Sequence, residues 1–260
     1  MADPPLPPMP VSLALAALEE PSGLRERLAR AARLGFRTVQ LDARAFDSRP
    51  RDLGRSARRD LAGLMRRSEL LLSGVDLWIP PAHFAQPAHV DRAVDAACDA
   101  IDFASDIAAL AGGRAVVCIV LPSADASDAI AALAEQAISR GVRVADHQWP
   151  PREDLAAQPA LASIGVGIDP AAVMLGPAGR SDPASEAARA GVRLASARLN
   201  DVAASNRAEP GEGRLDLLAY SIAVATAAPG APLVLDLRAL KNPELSARRV
   251  LRRFGIEPPD

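Results

Sequence analysis

From Val11 onward, short apolar runs alternate with longer segments of helical periodicity. The runs 11–17, 36–42, 70–79, 115–121, 142–148, 163–169, 192–199 and 232–238 are rich in Val, Ile and Leu, and Gly, Pro or Asp bounds them. That is the pattern of strands buried on both faces of a parallel sheet. The intervening helices carry start and stop signals. The first has Leu24, Leu28 and Leu34 on one side, an expected N-cap at Ser22 and a closing Gly35. In the third, Val90, Val94, Cys98 and Ile101 form an apolar stripe, and five aspartates from Asp91 to Asp106 form a solvated outer face. The last runs from Pro243 to Phe254, with Arg248, Arg249, Arg252 and Arg253 complementing its C-terminal dipole. Eight such βα units predict a (β/α)8 TIM barrel over 11–260 as a single domain, with a doubly wound sheet as the competitor. The first ten residues, MADPPLPPMP, are expected to be a flexible Pro-rich lead-in.

Period-two parity then sorts the strand side chains. The expected outward set is Leu233, Leu235, Leu237; Ile164, Val166, Ile168; Ala195, Ala197, Leu199; Val39, Leu41; and Val75, Leu77, Ile79. The inward set is then Val234, Asp236, Arg238; Ser163, Gly165, Gly167, Asp169; Leu194, Ser196, Arg198, Asn200; Thr38, Gln40, Asp42; Gly74, Asp76, Trp78; and Arg143, Ala145, His147. Polar groups collect toward the strand C-terminal ends, where barrel active sites form. Asp42, Asp76, Asp169 and Asp236 outnumber Arg198 and Arg238, so a cation, a charged substrate or a proton is expected to balance them.

Composition narrows the chemistry. Aromatics are 3% of the 260 residues, so the core is aliphatic and stacking platforms are scarce. Net charge is −2, which leaves no electrostatic footprint for nucleic acid. Cys98 and Cys118 read as reduced core residues. The start lacks a basic region followed by an apolar one, so no secretory signal is expected. No stretch of about 18 apolar residues suggests a membrane span, and a cytoplasmic location is expected.

The pieces LGFRTVQLDA (34–43), GVRVADH (141–147), GVGIDP (165–170), ARLND with GEGRLD (197–201, 211–216) and PLVLDLR (232–238) resemble the xylose isomerase-like TIM barrels, the superfamily of sugar-phosphate isomerases and epimerases. That resemblance implies a divalent metal, Mn, Mg or Zn, held by residues ending strands five to eight, and carboxylates on strands five and eight that move the substrate proton. By position it makes His147 (or Asp146), Asp169 and Asp236 the metal set. It places Gln40 at a second-strand glutamate position, and Asp201 in the loop after strand seven. Arg198 stands where the family has a histidine ligand. A guanidinium has no lone pair to give and would repel a cation.

The expected function is therefore a sugar or sugar-phosphate isomerase or epimerase. Asp236, His147 and Arg198 would be catalytic, and Gln40, His83, Arg198, Asp201 and Arg238 would touch substrate. The alternative is a catalytically inactive barrel that binds a ligand or a protein. A third branch of the superfamily, the metal-dependent apurinic-site nucleases, is disfavoured by the missing ligands and the absence of a basic face.

Overall fold

A computed structural model describes residues 6–18, 23–122, 126–152, 158–176 and 181–257. The described residues form ten strands: β1 (Val11–Ala14), β2 (Thr38–Asp42), β3 (Leu71–Asp76), β4 (Val116–Ile119), β5 (Arg143–Asp146), β6 (Ile164–Ile168), β7 (Leu194–Leu199), β8 (Asp201–Ala203), β9 (Asn206–Ala208) and β10 (Leu233–Leu235). Eight of them close into a parallel barrel in the order β1–β10–β7–β6–β5–β4–β3–β2. The chain is thus a (β/α)8 barrel. The helices are α1 (Leu24–Arg33), α2 (Arg55–Arg67), α3 (Val90–Ala111), α4 (Ser127–Arg140), α5 (Pro170–Leu175), α6 (Pro183–Ala190), α7 (Leu217–Ala227) and α8 (Pro243–Arg253). No described helix is long and apolar enough to cross a membrane.

The apolar residues divide as a barrel requires. Leu233, Leu235, Leu237, Ile164, Val166 and Ile168 belong to the main core, which also holds the inner faces of the helices. Val116, Cys118, Ala145 and Ala195 form a separate small cluster that fills the lumen. Burying each large aliphatic side chain contributes about 1.5–3 kcal/mol, which is what fixes the parity of each strand.

The register shifts at two bulges, and the parity expectation fails at the first of them. Between β6 and β7 the register jumps from Val166↔Leu194 to Gly167↔Ser196. Leu194 therefore joins the outer core and Ala195 the lumen, the reverse of the expected assignment. Past the bulge the expected order holds, with Ala197 and Leu199 outside. Between β2 and β3 the register jumps from Val39↔Leu72 to Gln40↔Gly74. The extra residue, Ser73, hydrogen-bonds Ser12 through the two Oγ atoms at 2.6 Å. A bulge inserts one residue and so inverts the parity of everything before it relative to everything after it. Ser163 is a further correction: its Oγ donates to the Ala134 carbonyl of α4, so it faces the helices.

Other local expectations also shift. Ser22 lies outside the described residues, and α1 is N-capped by Gly23 without a side-chain bond. The buried face of α3 is Ala93, Ala97, Ala100, Ile101, Phe103, Ala104, Ile107 and Ala111, with the helix rotated from the expected stripe. Alanines there let α3 lie close to the barrel. In the Pro-rich lead-in, Met9 is buried and Leu6 packs on the core, while Pro8 and Pro10 are exposed.

Candidate active site at the barrel mouth

The strand ends bring acidic and basic side chains to one place. Arg198, near the end of β7, donates from Nη1 to Asp169 Oδ2 at 3.0 Å and from Nη2 to Asp76 Oδ1 at 2.6 Å. Asp76 also accepts Arg238, whose Nη1 lies 3.1 Å from Oδ2. Arg238 grips Asp236 with two bonds, Nε to Oδ1 at 2.8 Å and Nη2 to Oδ2 at 2.6 Å. Arg207, on the β8–β9 hairpin, approaches Asp169 Oδ2 at 3.8 Å. The result is a chain of alternating charge across the mouth, from Asp236 through Arg238, Asp76 and Arg198 to Asp169 and Arg207.

The expected acidic excess is absent from this network. Arg207 balances Asp169, and Arg44 meets both oxygens of Asp42 at 3.2 Å. Arg44 comes from the turn after β2 and Arg207 from β9. The four aspartates counted from strand parity are thus matched by Arg44, Arg198, Arg207 and Arg238, so the site carries no net charge that a cation must settle.

The protonation states follow from this arrangement. Burial works against the charge of Asp169, but Arg198 and Arg207 outweigh it and hold the carboxyl well below the usual range. Burial likewise opposes ionised Asp236, and the Arg238 hydrogen bonds and charge overcome it. Arg198 is buried, yet Asp76, Asp169 and Asp236 keep its guanidinium charged. His147 goes the other way: burial and the neighbouring Arg198 push it down to about 3, so it is neutral at pH 7.

His147 sits over Gly167 of β6. A Cβ at Gly167 would lie 2.5 Å from the His147 ring, so glycine is required for the imidazole to occupy the lumen. Of the two fifth-strand candidates, His147 is the lumen group. Asp146 instead accepts the Leu121 and Gln148 backbone N–H groups through Oδ1, both at 3.0 Å, and so braces two loops. Gln40 faces the lumen and donates from Nε2 to Cys118 Sγ at 3.2 Å. Cys118 in turn meets Ser196 Oγ at 3.3 Å, and burial raises its thiol pKa to about 11. Several buried atoms of these side chains have no hydrogen-bond partner: Gln40 Oε1, both ring nitrogens of His147 and Arg198 Nε.

Asp169 is committed beyond its ion pairs. Its Oδ1 caps α5 by accepting Ala171 N at 3.1 Å and Ala172 N at 3.3 Å, and it also accepts Asn200 Nδ2 at 3.0 Å. Asp201 is committed elsewhere. It is 0% exposed and accepts five backbone N–H groups, from Val202, Gly211, Gly213, Arg214 and Leu215, at 2.7–2.9 Å. The Gly-rich loop does present its amides to an anion, and that anion is Asp201. Gly213 is needed there because a Cβ would lie 2.6 Å from Asp201 Oδ1 and 2.4 Å from the Val202 carbonyl. Asp201 thereby closes the loop after β7.

His83, in the turn Pro81–Phe84, stacks on His89 with ring centroids 4.5 Å apart, and Arg92 Nη2 lies 3.2 Å from His89 Nδ1. Trp78 is 61% exposed and projects outward rather than lining the lumen. Arg44 and Arg207 are the site residues that sequence reasoning missed. The signal for Arg207 was faint, because the hairpin that carries it has strands of three residues and a turn without glycine.

The donor set does not fit a divalent metal. Among the described residues, no group of three or more His, Cys, Asp or Glu side chains is placed to hold one. Asp236 spends both oxygens on Arg238, while Asp169 spends Oδ2 on Arg198 and Oδ1 on Asn200 and the amides that open α5. His147, Asp169 and Asp236 are thus not grouped as a metal site among the described residues.

No family model matches the chain, and no curated protein does. Solved structures do match. A xylose isomerase domain protein from Alicyclobacillus acidocaldarius is 19% identical, with 95% of this chain and 99% of that one covered at a TM-score of 0.67. D-psicose 3-epimerase with D-tagatose, from Clostridium cellulolyticum H10, is 14% identical, covering 96% and 100% at a TM-score of 0.75. The IolI protein with a bound zinc atom is 15% identical, covering 95% of each chain at a TM-score of 0.69. The architecture of this chain is the xylose isomerase-like TIM-barrel fold.

Proposed function

We propose that this xylose isomerase-like barrel binds an uncharged sugar, or a related polyhydroxylated carbonyl compound, at its C-terminal mouth without a divalent cation. The observation that carries this reading is Arg198 seated between Asp76 and Asp169 at the position of a metal ligand. Its charge replaces the cation, and the rest of the network is internally neutral. That leaves no surplus guanidinium to reward a phosphate dianion, so a neutral ligand fits better than a sugar phosphate. The unpartnered atoms match such a ligand. Gln40 Oε1 accepts, Arg198 Nε donates, and neutral His147 offers one of each. A vicinal hydroxyl pair both donates and accepts. The D-tagatose bound in a structural neighbour supports the same class.

Isomerase or epimerase turnover is the second reading. It is favoured by His147, whose ring nitrogens are free to bond a substrate hydroxyl. Against it, Asp236 and Asp169 are held ionised by arginines and are weak bases. Arg198 would then stabilise the oxyanion formed when a proton leaves the carbon beside the carbonyl.

Thermal melts with a panel of aldoses, ketoses and their phosphates, in EDTA, test the binding claim. At least one uncharged sugar should raise the Tm, and added Mn²⁺ should not change the shift. Stabilisation only by sugar phosphates, or only with metal, would overturn it. Deuterium uptake from D₂O beside the carbonyl, lost in His147→Gln, would establish the second reading.

A further inference from the structure

Outside the mouth, a cavity of about 260 Å³ opens between the β2–α2 loop, the segment after β3 and α3. None of Asp76, Asp169, Arg198, Asp236, Arg238 or His147 lines it. Its wall is apolar: Leu77, Trp78 and Ile79 on one side and Pro50 on the other. Trp78 keeps 61% of its surface exposed, although Leu77 beside it is buried. Aromatic residues are few in this chain, so an indole left open against a cavity marks a surface that a flat ligand can cover.

The rim supplies charge. Arg44, Arg49 and Arg51 all line the cavity. Arg44 is paired with Asp42. Arg49 and Arg51 share one carboxylate, Asp52, at 3.3 and 3.8 Å. The lining also holds Asp99, so the two guanidinium groups face two carboxylates, and Arg51, the more exposed of the two arginines, is the one that can turn to a ligand. A guanidinium is planar, meets a carboxylate through two parallel bonds and stacks on aromatic faces. The volume lies below the range for drug-sized ligands, so a single-ring compound is the right scale.

We infer that this cavity is a second binding site, for a small aromatic carboxylate, whose ring lies against Trp78 and whose carboxylate meets Arg51 and Arg49. It does not rest on the sugar reading of the mouth: the two sites share Arg44, which pairs with Asp42, but none of Asp76, Asp169, Arg198, Asp236, Arg238 or His147.

The test titrates the intact protein with benzoate, following heat and tryptophan emission. Trp149 is the second tryptophan, so Trp149→Phe isolates the Trp78 signal. The expected result is saturable one-to-one binding that quenches Trp78. Acetate, which lacks the ring, and benzamide, which lacks the charge, should each bind at least tenfold more weakly. Arg51→Ala should weaken benzoate at least tenfold while leaving the Tm unchanged, because Arg51 is on the surface. Saturating sugar should leave the benzoate affinity unchanged. Absence of saturable binding, or equal affinity for acetate or benzamide, would overturn the inference. So would full retention of affinity in Arg51→Ala. Each of these outcomes is separate from failure of the sugar screen.

Discussion

Arg198 and Asp76 meet across the barrel at 2.6 Å, although 122 positions separate them in the chain. Their side chains are 13% and 6% exposed. Removing one member of a buried ion pair strands the other, which costs more than the pair itself contributes. Arg198→Ala should therefore lose about 3–5 kcal/mol of stability in urea unfolding at pH 7. Adding Asp76→Asn to it should recover part of that loss, since Arg238 would then balance Asp236 alone instead of two carboxylates. Simple additivity of the two changes would show that the pair is not coupled.

Asp201 is the keystone of the loop after β7. Five amide donors converge on its two oxygens, and none of them has water as a substitute at 0% exposure. Hydrogen bonds to a charged group contribute about 1.5–3 kcal/mol each when counted alone. They are not additive, and Asp201→Ala should cost about 3 kcal/mol or more. Asp201→Asn should also destabilise, because it turns one oxygen into a donor facing amide donors. Limited proteolysis should cut both variants within 209–215 at protease levels that spare the parent chain.

The barrel was legible because its strands are nearly continuous apolar runs with polar ends. The inward placement of Gln40, Arg198, Asp236 and His147 also followed from parity, since each lies past any bulge in its own strand. Parity could not foresee the bulges at Ser73 and Ala195, which depend on register with a neighbour rather than on the strand's own sequence. Nor could it see charges delivered from outside the barrel strands. Arg44 and Arg207 cancel the acidic excess, and the argument for a cation fails through them. For Asp201, too, the sequence shows a carboxylate near a Gly-rich loop, not the five amides folded around it.

His147 gives the protein a pH signature. Its folded form refuses a proton until about pH 3, whereas the unfolded chain takes one up near 6.5. Below 6.5 the unfolded state therefore binds more protons, and stability falls as pH drops. One pH unit over which the two states differ by a full proton corresponds to about 1.4 kcal/mol. Acidification from 6.5 to 4.5 should cost about 2–3 kcal/mol through this group. Asp169 and Asp236 have depressed pKa values, so their contribution is lost only at more acid pH, as they protonate. The 4.5–6.5 window thus isolates the histidine. Urea unfolding at both ends of the window should show a clearly smaller drop in His147→Gln than in the parent chain, and an equal drop would assign the slope to other groups.

Arg198→His tests whether the arginine alone bars a metal. The substitution removes the guanidinium that Asp169 now faces and places an imidazole among His147, Asp169 and Asp236, a nitrogen and oxygen set suited to Zn²⁺ or Mn²⁺. In EDTA the variant should be less stable than the parent, because Asp76 and Asp169 lose their shared counter-ion. Added Zn²⁺ should then restore stability, by about 2.7 kcal/mol at a hundredfold excess over the dissociation constant. The parent chain should show no Zn²⁺-dependent rise in Tm, since its carboxylates are already neutralised. Metal analysis after gel filtration should find about one ion per variant chain and none in the parent. Zinc retained equally by both would mean that Arg198 swings away to admit it, and the metal-free reading of the mouth would be lost. Zinc retained by neither would mean that Arg238 and Arg207 also hold the carboxylates out of reach, and a further Arg207→Ala change should then open Asp169 to the ion.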